Sequence, residues 1–337
     1  MIYLLGQQSA LLEDSELPVP FRQRRFFYYL SGADFEDCIV TYDIERDHLS
    51  LYIPPVNPKE VIWLGPTPSV EECEEKYDVD YVGLTSGVNS DIIKWFINSP
   101  KQTTTLYILH QEQSPQLVNM GSALETVLEK KKLIMDWELL QPAMEAARVI
   151  KSDYEVGLIR RANDITSMAH RAVLANLADM TNETEIEATF EASCVSAGAK
   201  KQAYEVIAGS GENASTLHYV ANNQSLKGRQ LVCLDAGCEW ECYASDVTRT
   251  FPISGTFSKE AKEIYDIAKE MQERCIERVK PGVIFRDLHL LALKIAVKGL
   301  MKLGILHNGT FEAVLQTGIA FFPHGVCVST ISLTVSI

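Results

Sequence analysis

Between Leu231 and Pro252 the chain reads LVCLDAGCEWECYASDVTRTFP. Two β-rich runs, each carrying one aspartate, stand a few residues apart, and so short a connection joins antiparallel neighbours. A hairpin centred between Trp240 and Glu241 sets Asp235 directly opposite Asp246. Directly opposed residues share a face, with Cβ atoms about 5 Å apart. The apolar run Leu231–Leu234 predicts a buried strand. Two carboxylates forced together in a core repel, so one takes a proton or both bind a cation. Such a pair can bridge and chelate two metal ions about 3.5–4 Å apart. The residues alone leave a second reading open, in which Asp235 begins a turn with Gly237 and Asp246 is a solvated strand residue.

The surroundings of this hairpin alternate in period. Ser152-Asp-Tyr-Glu155 is a capping box, and behind it Leu158, Ile159, Ala162, Ile165, Met168, Ala169 and Ala172 follow helical spacing. A second box, Thr184-Glu-Ile-Glu187, opens a helix to about Val195. Strands are then expected at Tyr204–Ile207, Thr216–Tyr219, Leu231–Leu234 and Tyr243–Phe251, with turns at Gly209-Ser-Gly211 and Asn222-Asn223. Helices over about Ser258–Val279 and Asp287–Leu303 stop at Pro281-Gly282 and Gly304. Helices flanking antiparallel strands make an α+β domain.

The stretch before residue 148 has a different character. Cys38–Ile44 and Leu49–Ile53 read as a hairpin, Val61–Leu64 and Thr105–Leu109 as strands. Asp91–Ile97, capped by Ser90, and Leu117–Lys132 have helical spacing. This is an α/β domain. Met1–Pro20 reads as polar and irregular, as though the chain began in mid-domain. Phe21-Arg-Gln-Arg-Arg-Phe-Phe-Tyr-Tyr29 interleaves basic and aromatic residues as single-strand nucleic-acid platforms do, but at this net charge it reads as a buried strand with a basic flank.

Composition narrows the function classes. A length of 337 residues suggests two domains. No apolar run approaches the ~20 residues of a membrane span. A net charge of −14 suits a hard-cation site better than a phosphate backbone. Eight cysteines in a chain this long, with no signal peptide before them, indicate free thiols in a reducing cytoplasm. Cys233, Cys238 and Cys242 lack a CxxC spacing and do not read as a zinc site. Ser210 lacks the frame of a nucleophile elbow. His218 falls on a strand candidate, and His324 follows a bulky apolar run.

Taken in order, Ala208-Gly-Ser-Gly-Glu-Asn-Ala214, Leu217-His-Tyr219, Leu234-Asp-Ala-Gly237, Asp246-Val-Thr-Arg-Thr-Phe-Pro252 and Phe322-Pro-His-Gly325 resemble the Xaa-Pro aminopeptidase and prolidase group of metallopeptidases, the aminopeptidase P family. The likeness runs from about Pro18 to Gly325 and takes in Tyr42-Asp-Ile-Glu-Arg46 and Ile62-Trp-Leu-Gly65. The resemblance implies a creatinase-like α/β domain over 1–147. It implies a pita-bread (creatinase/aminopeptidase-like) α+β domain over 148–325, with a non-family tail over 326–337. It makes Asp235 and Asp246 metal ligands and His218 a catalytic residue in contact with substrate. It makes His324 a second substrate contact, near the proline, and Thr248 the threonine that orients a metal-bound aspartate. The cofactor it implies is two divalent ions per subunit, Mn²⁺, which suits hard oxygen ligands. In the family a water acidified by the metals attacks the Xaa-Pro amide carbonyl, and the metals stabilise the oxyanion. The implied partners are peptides with a penultimate proline and, in the complete form, a second copy in a homodimer. Neither nucleic acid nor membrane is expected.

One motif departs from the family pattern. A second histidine, a metal ligand, belongs four residues after His324, and Val328 stands there. Two glutamate ligands belong beyond Ile337. Three of five expected ligands are therefore missing from this sequence, and Val326–Ile337 is apolar and β-rich. Val326-Cys327 can be encoded by GTATGT, a common intron donor hexamer, so the tail reads as a translated intron. The chain is thus expected to be truncated at its C-terminus, and at its N-terminus by a strand-helix segment. Missing strands would leave a sheet edge and a half-core exposed, which predicts poor solubility. Three functions follow: an aminopeptidase, a catalytically inactive truncated form, and a prolidase-type dipeptidase.

Overall fold

A computed structural model describes residues 1–59, 61–117 and 130–318. The chain divides into two units, Met1–Ile150 and Lys151–Ile337. In the first, strands β1 (Ile2–Leu5), β2 (Ile39–Asp43), β3 (His48–Ile53), β4 (Tyr81–Leu84), β5 (Thr103–Tyr107) and β6 (Lys132–Asp136) form a mixed sheet in the order β4-β3-β2-β1-β5-β6. Helices α1 (Arg25–Ser31), α2 (Val61–Leu64), α3 (Val70–Lys76), α4 (Val88–Asn98) and α5 (Leu140–Arg148) accompany it. Successive strand residues serve opposite faces. Leu4, Val40, Leu51 and Ile53 join Phe27 of α1, Cys73 of α3 and Met144 of α5 in one core. Tyr3, Ile39 and Tyr52 join Val88 and Ile92 of α4 in another.

Several expectations for this unit need correction. Met1–Pro20 contains β1, which lies inside the sheet between β2 and β5; four residues are too few to display an alternation. Val61–Leu64 is a single helical turn, not a strand, in which Gly65 N donates to Val61 O (3.0 Å) and Gly65 takes a φ of 79°. A short apolar run fits either state. The segment Phe21–Tyr29 is not a strand either: it enters α1, which buries Phe27 and closes on Gly32 at φ 66°. The Arg148 guanidinium lies 5.0 Å over the Phe26 ring. Helix α4 begins at Val88 with no side-chain cap, so Ser90 sits inside its first turn. Of the helix expected over Leu117–Lys132, residues 118–129 lie outside the described residues, and Lys132 begins β6.

The second unit opens with α6 (Asp153–Asn176) and α7 (Glu183–Ser196), followed by β7 (Lys201–Gln202), β8 (Ile207–Ser210), β9 (Leu231–Ala236), β10 (Cys238–Trp240), β11 (Tyr243–Ala244) and β12 (Val247–Pro252). Helices α8 (Lys259–Ile276), α9 (Phe285–Lys302) and α10 (Phe311–Gly318) close it. The strands form two small sheets, β11-β10-β7 and β12-β9-β8. The capping box of α6 is in place: Ser152 N donates to Glu155 Oε2 (2.7 Å) and Glu155 N to Ser152 Oγ (3.3 Å). Ile165, Ala169 and Val173 of α6 and Ile186 and Phe190 of α7 cover one face of the second sheet, meeting Val232, Leu234 and Ala236 of β9. The alternation along β9 turns Cys233 and Asp235 to the opposite face.

Here too the local assignments shift. The box of α7 is Asn182 and Glu185, not Thr184 and Glu187. Both frames satisfy the pattern, and asparagine is the stronger cap. Gly209 and Ser210 are not a turn but the end of β8. Thr216–Tyr219 is not a strand. It lies in a loop that returns over β8, where a Cβ on Gly209 would meet Ala214 Cα at 3.0 Å. The strand expected over Tyr243–Phe251 is two strands, broken at Ser245-Asp246.

Candidate active site

The hairpin turns at Glu241 and Cys242, with φ of 46° and 63°. Positive φ at both central residues belongs to the two-residue type I′ turn, whose twist matches that of the strands it joins. The turn centre therefore lies one residue later than the sequence suggested. Trp240 pairs with Tyr243, and further along Ala236 pairs with Val247 and Asp235 with Thr248. The expectation that Asp235 directly faces Asp246 is corrected: the two are diagonal neighbours. Moving a turn centre by one residue moves every partner by two, and two residues is the side-chain period of a strand. Both aspartates consequently remain on one face. Gly237 permits the break between β9 and β10, because a Cβ there would meet Ser245 O at 1.9 Å.

The two carboxylates meet at a third residue that sequence reasoning missed. Tyr204 Oη donates to Asp235 Oδ1 and lies 3.1 Å from Asp246 Oδ1. One phenolic proton thus serves two acids. Burial, followed by the hydrogen bond to Asp235, drives the Tyr204 phenol far above its ordinary range, so it is a fixed donor at neutral pH. No local signal marks Tyr204, which stands 31 residues from Asp235 in the chain.

These groups line an open cavity of about 680 Å³. Asp235 and Thr248 lie side by side on its wall, Asp246 at the break beside them, and the exposed His218 at its rim. The structure thus brings together four of the five residues singled out in the sequence. His324 and Val328 lie outside the described residues. Behind the sheet, the buried His170 places Nε2 3.2 Å from Ala236 O and meets the Phe190 ring edge-on; burial pulls its pKa down. Two hard oxygen donors that face one cavity fit a divalent cation in kind. They are only part of a shell. Among the described residues no group of three or more His, Cys, Asp or Glu side chains is placed to hold a metal.

An α/β domain and an α+β domain that carries two carboxylates on an open sheet face define the architecture, and comparison with known proteins specifies the family. The profile of metallopeptidase family M24 matches residues 157–330, and that of the aminopeptidase P N-terminal domain matches residues 1–107. A protein of Aspergillus niger named "Probable Xaa-Pro aminopeptidase" is 52% identical over 329 residues, covering 97% of this chain and 65% of its own length. A relative of the same name from Colletotrichum graminicola is 48% identical over 327 residues, with 60% of its length covered. The low-pH form of Escherichia coli aminopeptidase P superposes with a TM-score of 0.80 at 27% identity, over 96% of this chain and 74% of that one. Its zinc-substituted form in complex with product gives 0.79 at 28% identity, over 96% of this chain and 74% of that one. The chain belongs to the aminopeptidase P family of metallopeptidases, with the family's N-terminal domain followed by its pita-bread domain. It spans 65% of the length of the Aspergillus niger relative.

Proposed function

We propose that this chain carries the active-site floor of a metal-dependent Xaa-Pro aminopeptidase, which removes the residue preceding a penultimate proline. The observation that carries this reading is the convergence of Asp235 and Asp246 on one hydroxyl in a cavity rimmed by His218. The names of the matched relatives support it. In this reading Asp235 and Asp246 hold divalent metal, Mn²⁺ by preference. When bound, such an ion acidifies a water molecule and polarises an amide carbonyl. The remaining work belongs to the chain's own residues. Tyr204 donates a hydrogen bond to Asp235 and so fixes the direction in which that carboxylate presents its second oxygen. Thr248, paired across the ladder from Asp235, limits the rotation of the same side chain. His218 and His324 hold the peptide, His324 beside the proline. Among the described residues seven cysteines are free, which supports a reducing cytoplasm as the working compartment.

Calorimetric titration of Mn²⁺ into the purified chain tests the centre. Asp235→Asn and Asp246→Asn are each expected to weaken binding at least about tenfold, as loss of one charged ligand does. Unchanged affinity in both variants would remove these carboxylates from the centre. Hydrolysis of Gly-Pro compared with Gly-Pro-Xaa separates a dipeptidase from an aminopeptidase. A second reading, an inactive chain that holds peptide without cleaving it, is favoured by the two-donor set among the described residues and by Val328 in the sequence. It is selected if neither Mn²⁺ binding nor hydrolysis is observed.

A further inference from the structure

Among the described residues of the second unit, one heavily bonded buried side chain lies outside the carboxylate pair. Glu183 opens α7 and is fully buried, at 0% exposure. Its Oε1 accepts from Ser210 N (2.8 Å), Ser210 Oγ (2.6 Å) and Asn213 Nδ2 (2.9 Å). Its Oε2 accepts from Tyr219 Oη (2.8 Å) and Gln224 N (3.0 Å). Only an ionised carboxylate accepts from so many donors at once. Burial works against that charge, and the hydrogen bonds led by those from Ser210 and Asn213 more than offset it, leaving the pKa below its ordinary value.

These donors belong to one segment of chain. Ser210 ends β8, Gln224 lies on the far side of the loop that follows it, and Asn213 and Tyr219 lie between them. Asn213 Nδ2 also donates to Tyr219 Oη (3.0 Å). Neighbouring residues reinforce the far end: Thr184 Oγ1 donates to Asn222 O (2.7 Å), and Glu183 N to Gln224 O (3.0 Å). The loop so tethered carries His218, next in the chain to Tyr219, at the rim of the cavity. A buried charge of this kind is more than a loop needs merely to close. Its effect is to hold one face of an exposed loop at a set distance from a rigid helix end.

We propose that Glu183 is the positioning residue for His218, fixing the imidazole over the Asp235–Asp246 floor through Tyr219 and Asn213. The functional half of this proposal rests on the reading of His218 as a substrate contact. Glu183→Gln replaces one acceptor oxygen by an NH₂ group that faces other donors, and Tyr219→Phe removes a single donor and keeps the ring. The first test needs no substrate: the His218 ring resonances in a histidine-labelled NMR spectrum of the full chain. Both variants are expected to shift them and to speed amide exchange over residues 211–219. If Tyr219→Phe melts like the parent and leaves the His218 resonances unmoved, the proposal is overturned.

The second test titrates Gly-Pro-Ala into the same proteins. His218→Ala and Glu183→Gln are each expected to weaken binding about tenfold, the size of one lost charge-assisted contact. Their combination should weaken it no further, because the two act on one contact. Additive losses, or a Glu183→Gln variant that binds like the parent while His218→Ala does not, overturn the proposal. If His218→Ala binds as the parent does, the substrate role of His218 fails, and the resonance shifts alone then decide whether Glu183 positions it. Partial recovery of binding and resonances in Glu183→Asp, which retains the charge, is expected and would not follow from a purely steric role.

Discussion

Gly237 shows how one residue can decide the geometry of a site. It separates β9 from β10 where the backbone of Ser245 crosses within 1.9 Å of its missing Cβ, and Asp235 and Asp246 stand just before and across from it. Gly237→Ala is expected to destabilise the fold by about 3 kcal/mol, the upper range for an overpacked site, and to lower Mn²⁺ affinity as well. Urea midpoints and the calorimetric titration measure the two effects. Glu183 makes a prediction about pH. A carboxyl whose folded pKa lies below its unfolded value contributes stability above the unfolded value and loses it as pH falls through the folded one. Glu155, held down by hydrogen bonds from Ser152 and Tyr243 against burial, has the same sign. The contribution of these two carboxyls should therefore be flat above about pH 5 and fall steadily below it, while His170, whose pKa burial lowers, begins to lose stability at higher pH, as pH falls through the ordinary histidine value. In Glu183→Gln the fall should be shallower.

At the scale of elements, the long helices and their ends were readable because their signals are local. The capping box at Ser152 and the 3.6-residue spacing behind it belong to contiguous residues, and α6 runs where they indicate. Ser152→Ala should cost about 1 kcal/mol of stability, the usual value of an N-cap, read as a lowered thermal midpoint. A midpoint equal to the parent's would show that Glu155 holds the helix end unaided. Short elements were less readable. β1 and α2 are four residues each, and a four-residue apolar run does not distinguish a strand from a helical turn. The hairpin is intermediate. Its strands were legible and its register was not, since a type I′ turn on Glu241-Cys242 uses neither the glycine nor the asparagine that usually marks one.

For the whole molecule, the two units each bury their own core. We expect limited proteolysis to cut first between Arg148 and Asp153, where Ile150 is 84% exposed, because cleavage follows exposed backbone with few contacts. First cuts within α6 instead would contradict this. No helix among the described residues is long and apolar enough to cross a membrane, and the chain's net charge of −14 disfavours a polyanionic partner.

Sequence alone determined that Asp235 and Asp246 share a face, because strand parity survives a register error of two residues. It also determined the start of α6, where the Ser152 capping box is contiguous, though it placed the caps of α4 and α7 two or three residues late. Tertiary structure decided the rest of the site: the diagonal placement of the two acids, the phenol of Tyr204 between them, and the Glu183 carboxylate beneath the His218 loop. Those contacts join residues some 30 to 40 positions apart. Their formation depends on how α7, β8 and β9 pack, and no local periodicity encodes it.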